Sequence, residues 1–167
     1  GSTDTAESFR PPVPLAVQIA GPAGAIEARV EDPLPAGATR RVVGVVCHPH
    51  PLFGGTMQNK VVHTAARAMQ EAGAATVRFN FRGVGASEGQ HDRGVGELAD
   101  ALAVIDWTRR HFGCDALWLG GFSFGAATVS AADPDFPSGQ EAFHTYVEMA
   151  AEVQAAADAY PAIVERF

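Results

Sequence analysis

The pentapeptide Gly121-Phe122-Ser123-Phe124-Gly125, a G-x-S-x-G set directly behind a short apolar run, restricts this chain more than any other stretch. Ala116–Gly120 predicts a short buried strand, and Ala126-Ala127-Thr128-Val129 can start a helix. A serine pinned between strand and helix sits in a strained turn that lifts its hydroxyl above the sheet edge. The flanking glycines let neighbouring elements approach closely. At the start of such a helix, the Phe124 N–H points where negative charge on a substrate oxygen would develop. The same residues also suit an ordinary glycine-rich turn in which Ser123 merely caps the helix.

The segments upstream favour a wound sheet. Leu15–Ala20 and Ala25–Val30, separated by Gly21-Pro22-Ala23-Gly24, predict a β-hairpin. Asp32–Gly37 is a loop, and Arg41–Cys47 is a nearly continuous β-branched run, as expected of a strand buried on both faces. Val62, Ala65, Ala66, Met69 and Ala72 form a helical stripe within Asn59–Ala72, stopped by Gly73. Ala75–Phe81 alternates around Val77, Phe79 and Phe81 as a further strand. Val95, Leu98, Leu102, Ile105 and Phe112 mark one face of a long helix ending at Gly113. Strands and helices alternate from Arg41 onward, which predicts an α/β three-layer sandwich with a mostly parallel sheet.

Three loops fall at the carboxyl ends of those strands, where open α/β sheets place their sites. In His48-Pro49-His50-Pro51-Leu52-Phe53-Gly54-Gly55-Thr56 the two histidines lack a cysteine or carboxylate partner at useful spacing, so no metal is expected. The prolines stiffen that loop, and a free N–H in it would supply a second oxyanion donor. The glycines of Arg82–Gly89 have the wrong spacing for a dinucleotide, and no acid ends the next strand; no cofactor is expected. The third loop holds Ser123.

Taken in order, His48–Met57, Arg78–Gly89 and Gly121–Gly125 resemble the small lidless serine hydrolases of the α/β-hydrolase superfamily, over roughly residues 13–130. That resemblance implies Ser123 as nucleophile, Phe124 as one oxyanion donor, and Leu52 or Phe53 as the other. It also implies small acyl or ester substrates.

The superfamily's triad runs serine, acid, histidine along the chain. Behind Ser123 the only histidine is His144, with Asp133 or Asp135 as acid by default, and neither acid follows a strand pattern. The expectation is therefore a truncated or chimeric hydrolase with an incomplete triad, inactive or weakly esterase-like. The alternative is a working carboxylesterase-type serine hydrolase completed by His144 or by a partner chain.

Composition supports a break near residue 130. Residues 1–130 hold 12 acids and 11 bases, whereas residues 131–167 hold 7 acids and only Arg166. Residues 1–12 read as a cloning scar (Gly1-Ser2) and a flexible lead-in, 13–130 as a hydrolase-like half domain, and 131–167 as an appended helical segment packing on it. The tail, from Asp135-Phe136-Pro137 through Phe143–Met149 to Ala159–Val164, is similar to the start of a zinc carboxypeptidase catalytic domain, without residues matching its metal ligands. Physically it predicts an amphipathic helix with Thr145 and Glu148 as a capping box and an apolar face of Phe143, Val147, Ala150, Val153, Ala157, Tyr160 and Val164.

The net charge of −7 argues against nucleic acid. No run approaches the ~18 apolar residues of a membrane span, so no membrane is expected and a cytoplasmic setting is the default. Cys47, inside an apolar run, reads as a small buried hydrophobe. The strand Ala116–Gly120 would leave an open apolar edge, which predicts that it is covered by the tail helix or by a second copy of the chain, the latter giving a homo-oligomer formed through it.

Overall fold

A computed structural model describes residues 14–35, 37–38, 41–121, 124–125 and 128–129. Ser123, Asp133, Asp135, His144 and the expected tail helix lie outside the described residues. The predicted hairpin forms from β1 (Leu15–Gly21) and β2 (Gly24–Glu31), antiparallel with Ile19 opposite Ile26. Then come β3 (Val42–Cys47), a 3-10 turn (Pro51–Phe53), α1 (Lys60–Glu71), β4 (Ala75–Phe79), α2 (Val95–Phe112) and β5 (Ala116–Gly121).

The five strands lie in the order β1-β2-β4-β3-β5. β3 pairs parallel with β4 and β5, while β2 pairs antiparallel with β4, so the sheet is mixed. The crossovers through α1 and α2 give the parallel part, and the hairpin adds the antiparallel margin.

Period-two alternation puts helices on both faces. From β3, Val43, Val45 and Cys47 join Ala101, Val104 and Ile105 of α2 in one core. Val46, with Val42 packed alongside, meets Val62, Ala66, Ala68 and Met69 of α1 in a second core. A strand apolar at every position can fill both, which is why its sequence is a continuous run. Cys47 is buried, and burial pushes its thiol up to about 12, so it behaves as an inert hydrophobe.

Two expectations need correction. The strand Ala75–Phe81 stops at Phe79: its register with β3 ends at Arg78 and with β2 at Phe79, although the Asn80 N–H still donates to the Glu27 carbonyl of β2 (2.9 Å). The face expected of α2 is also wrong in part. Val95 and Leu102 are exposed, whereas Glu97, Asp100, Ala101, Val104, Ile105 and Thr108 are buried. The apolar stripe misled because two acids occupy core-facing positions, each paired there.

Candidate active site

At the carboxyl end of β3 the chain enters the His48–Thr56 loop. His48 is fully buried; its Nε2 accepts the Phe81 N–H (3.0 Å), so Nδ1 carries the proton and donates to the Pro49 carbonyl (2.6 Å). Both nitrogens are committed, and burial pushes the imidazole down to about 4. His48 is thus a neutral strut tying the loop to the end of β4, with no lone pair left for a proton from substrate.

His50 does different work. Its Nδ1 accepts the Leu52 N–H (3.1 Å), and its carbonyl accepts the N–H groups of Phe53 (3.1 Å) and Gly55 (3.0 Å). The side chain therefore caps the 3-10 turn whose amides the sequence marks as oxyanion donors, and both amides are engaged inside the turn. Leu52 and Phe53 project their side chains into solvent, 66% and 85% exposed.

The loop after β4 is clamped to the hairpin. Asn80 Oδ1 accepts the Met57 N–H (2.8 Å) and its Nδ2 donates to Glu27 Oε1 (2.5 Å). Ser87 Oγ donates to the Asn80 carbonyl (2.6 Å) and accepts the Glu27 N–H (2.9 Å). These polar groups are spent on the fold.

The segment leading into α2 carries a cluster that the sequence did not single out. Arg93 and Gly94 both take left-handed backbone (φ 53° and 92°), an uncommon conformation for arginine. Glu97, one turn into the helix, holds this bend: Oε2 accepts the Asp92 N–H and Oε1 the Gly94 N–H, both at 2.9 Å. The Glu97 side chain is fully buried. Desolvation alone would raise its pKa, but the N–H groups of Asp92, Glu97 itself and Gly94, with His91, outweigh it and hold the carboxyl below its usual range. His91 Nδ1 lies 2.9 Å from Glu97 Oε2, a short contact off the hydrogen-bond axis. Beside it, Arg82 grips Asp100 as a fork, with Nε to Oδ2 (3.1 Å) and Nη2 to Oδ1 (2.9 Å).

These pieces meet at the elbow. Phe124 packs its ring against His50 (centroids 4.9 Å apart), Phe81 (5.6 Å) and His91 (6.2 Å), and His50 and His91 stand 5.2 Å apart. Gly125 explains the last glycine of the motif: a Cβ there would collide with the backbone carbonyls of Cys47 and His48. Only glycine lets the helix after β5 seat directly on the end of β3. Phe124, Leu52 and Phe53 therefore share one end of the sheet, joined through the His50 ring, which lies 4.8 Å from Phe53. Ser123, the residue before Phe124, and His144 are outside the described residues. Among the described residues, no three His, Cys, Asp or Glu side chains are grouped to hold a metal ion.

Comparison with known proteins agrees with this architecture. An α/β serine hydrolase homologue from Coxiella burnetii is 50% identical with a TM-score of 0.67, over 70% of this chain and 55% of that one. A lidless α/β serine hydrolase from Xanthomonas campestris is 47% identical with a TM-score of 0.67, over 71% of this chain and 56% of its own. An uncharacterised protein of Rickettsia prowazekii is 43% identical over 107 residues, 64% of this chain and 44% of that protein. The chain thus spans about half the length of these relatives. None of these matches carries the zinc-carboxypeptidase likeness of the tail. The model of the X-Pro dipeptidyl-peptidase (S15) family matches residues 25–161, across the charge break near residue 130. With a mixed sheet flanked by helices and an elbow helix seated on β3, this chain has an α/β-hydrolase-like fold and belongs to the X-Pro dipeptidyl-peptidase (S15) family.

Proposed function

We propose that this chain carries the nucleophile side of an acyl-transfer hydrolase, with Ser123 attacking the carbonyl carbon of a small ester or related acyl compound. The observation that carries this reading is the seating of the elbow helix. Gly125 lies against the Cys47 and His48 carbonyls, which brings the Phe124 turn to the same sheet end as the His48–Thr56 loop. Two amide donors from separate segments, converging on one oxygen, are what a tetrahedral intermediate requires.

Phe124 is the first donor. Of the two candidates for the second, Leu52 is favoured, because its partner is the His50 side chain, which a ring rotation releases. The partner of Phe53 is a backbone carbonyl fixed in the turn. Hydrogen bonds in an unliganded site commonly rearrange when substrate arrives.

Esters come first as substrates because an alkoxide leaves more readily than an amide nitrogen, so a site with weak proton handling turns them over before peptides. The low activity expected from the sequence, and the joining of a hydrolase half to a separate tail, stand as parts of this proposal; the charge break near residue 130 supports the latter. A fluorophosphonate probe tests the core claim, with p-nitrophenyl acetate and an Xaa-Pro p-nitroanilide as paired substrates. Labelling at Ser123 that is lost in Ser123→Ala supports the hydrolase, and an unlabelled, folded protein refutes it. Assembly through the edge of β5, the outermost strand beside β3 among the described residues, is proposed alongside; a monomer by light scattering at working concentration removes it.

A further inference from the structure

A cavity of 310 Å³ opens on the α1 face of the sheet, lined by Glu31, His63, Thr64, Arg67 and Gln70. Glu31 ends β2 opposite Thr76, near the start of β4, whereas the elbow meets the carboxyl end of β3. The cavity therefore stands towards the other end of the sheet from the loops described above. Its volume falls at the lower end of the ~300–1,000 Å³ of small-molecule sites.

The inner wall is rigid and keeps acceptors in hand. Arg78, 2% exposed, sends both Nε (3.2 Å) and Nη2 (2.9 Å) to a single oxygen of Glu31, Oε1. The Arg82 fork, in contrast, occupies both oxygens of Asp100. Among the described residues Glu31 Oε2 takes no hydrogen bond. Gln70, also 2% exposed, donates from Nε2 to Thr76 Oγ1 (2.8 Å), and its Oε1 takes no hydrogen bond among the described residues. The Leu34 N–H binds the Gln70 backbone carbonyl (3.0 Å), which ties the loop after β2 to the end of α1. The outer wall carries the opposite sign. Arg67 is exposed and spends only Nε on Glu71, at 3.5 Å, so among the described residues both Nη groups remain unpaired. His63 adds no charge, since burial and Arg78 lower its pKa and keep the ring neutral.

We propose that this cavity binds a small zwitterion of the amino-acid class, with its ammonium on Glu31 Oε2 and Gln70 Oε1 and its carboxylate on the Arg67 guanidinium. The proposal is independent of the acyl-transfer reading. A lone anion would face Glu31 and a lone cation would face Arg67, so either leaves one wall charge unanswered. An uncharged polyol answers neither. A zwitterion answers both at once. The planar guanidinium offers a carboxylate two parallel N–H groups. Acceptors already fixed by Arg78 and Thr76 spare the ligand the cost of ordering them.

The test titrates the full, isotopically labelled chain with L-alanine, ethylamine and propionate, and follows its amide NMR signals at pH 7. Ethylamine lacks the carboxylate of L-alanine, and propionate lacks the ammonium. L-Alanine should shift the Gln70 side-chain amide and the Glu31 and Arg67 backbone amides saturably. Each analogue should bind about tenfold more weakly or worse, the cost of one charged hydrogen bond. Arg67→Ala, at an exposed position, should weaken L-alanine about tenfold and leave ethylamine unchanged. Glu31→Gln should weaken both L-alanine and ethylamine. Because Arg78 then loses a charged partner, circular dichroism checks that variant, and Arg67→Ala carries the test if it fails to fold. Propionate or ethylamine binding as tightly as L-alanine overturns the proposal, and so does an unchanged L-alanine affinity in Arg67→Ala. A parent whose Gln70 side-chain amide shows no saturable shift with L-alanine overturns it as well.

Discussion

Arg78 and Arg82 lie four residues apart, both largely buried and both paired with carboxylates, yet their surroundings differ in kind. Arg78 sends Nε and Nη2 to Glu31 (3.2 and 2.9 Å) and Nη1 to the Met57 carbonyl (2.7 Å), with His63 and Gln58 alongside. Burial first, then the Arg78 guanidinium, lowers the His63 pKa and keeps that ring neutral, with Glu31 partly opposing. Arg78 itself is buried and fully paired, while His63 and Gln58 beside it face solvent on the α1 face of the sheet. Arg82 grips Asp100 just as firmly, but beside it His91 keeps a nitrogen in short, unaligned contact with Glu97. Burial and pairing are common to both clusters; what separates them is the unaligned contact of His91 with Glu97 at the loop end of the sheet.

The comparison breaks most readily at Arg78. Replacing it by methionine leaves the Glu31 charge and the Met57 carbonyl without their partner, and unfolding in urea should report a loss of about 3–5 kcal/mol. A much smaller loss would mean that water replaces Arg78 as the partner of Glu31 and the Met57 carbonyl.

Acid should find His48 and Glu97 in separate windows. Unfolded His48 binds a proton below its ordinary 6.5, whereas the folded ring resists until about 4. The unfolded state therefore takes up more protons between those values, so stability falls as pH drops from 6.5 towards 4, by about 3 kcal/mol. Glu97, held below its usual range, adds stability that is lost only at lower pH, as the medium falls through its depressed pKa. Urea midpoints across pH 3–7 check both, and His48→Gln should flatten the upper window.

Arg82→Lys sharpens the contrast from the other side. The charge stays but the planar fork on Asp100 is lost, which should cost about 1.5–3 kcal/mol by denaturant titration. The smallest effect belongs to Arg41–Asp115, a 2.6 Å pair with side chains 74% and 59% exposed. Asp115→Asn should change stability by less than about 1 kcal/mol, and added salt should erase even that.

Much of the fold was legible because the information is local. The hairpin, the continuous run of β3, the stripe of α1 before Gly73 and the elbow pattern all show in windows of a few residues. The α2 face was misread for the opposite reason. Glu97 and Asp100 face inward, and no window around them shows that Arg82 and the bend at Asp92–Gly94 would satisfy them. The Phe124 turn and the Leu52–Phe53 loop stand out by their motifs, whereas the place of His91 beside Glu97 does not, since a histidine in a polar loop carries no periodic signal.

By itself, then, the sequence determined the order and type of the elements, the α/β class and the loops that meet at one sheet end, since periodicity and turn chemistry act between near neighbours. Only the tertiary structure decided that β4 lies between β2 and β3, which histidine is a neutral strut, which caps a turn and which stands against a carboxylate. Those outcomes depend on partners far apart in the chain. His48 is set by Phe81, 33 residues away, and Asn80 by Glu27, 53 residues away. The protonation and burial of a polar side chain are properties of the partners that folding brings to it.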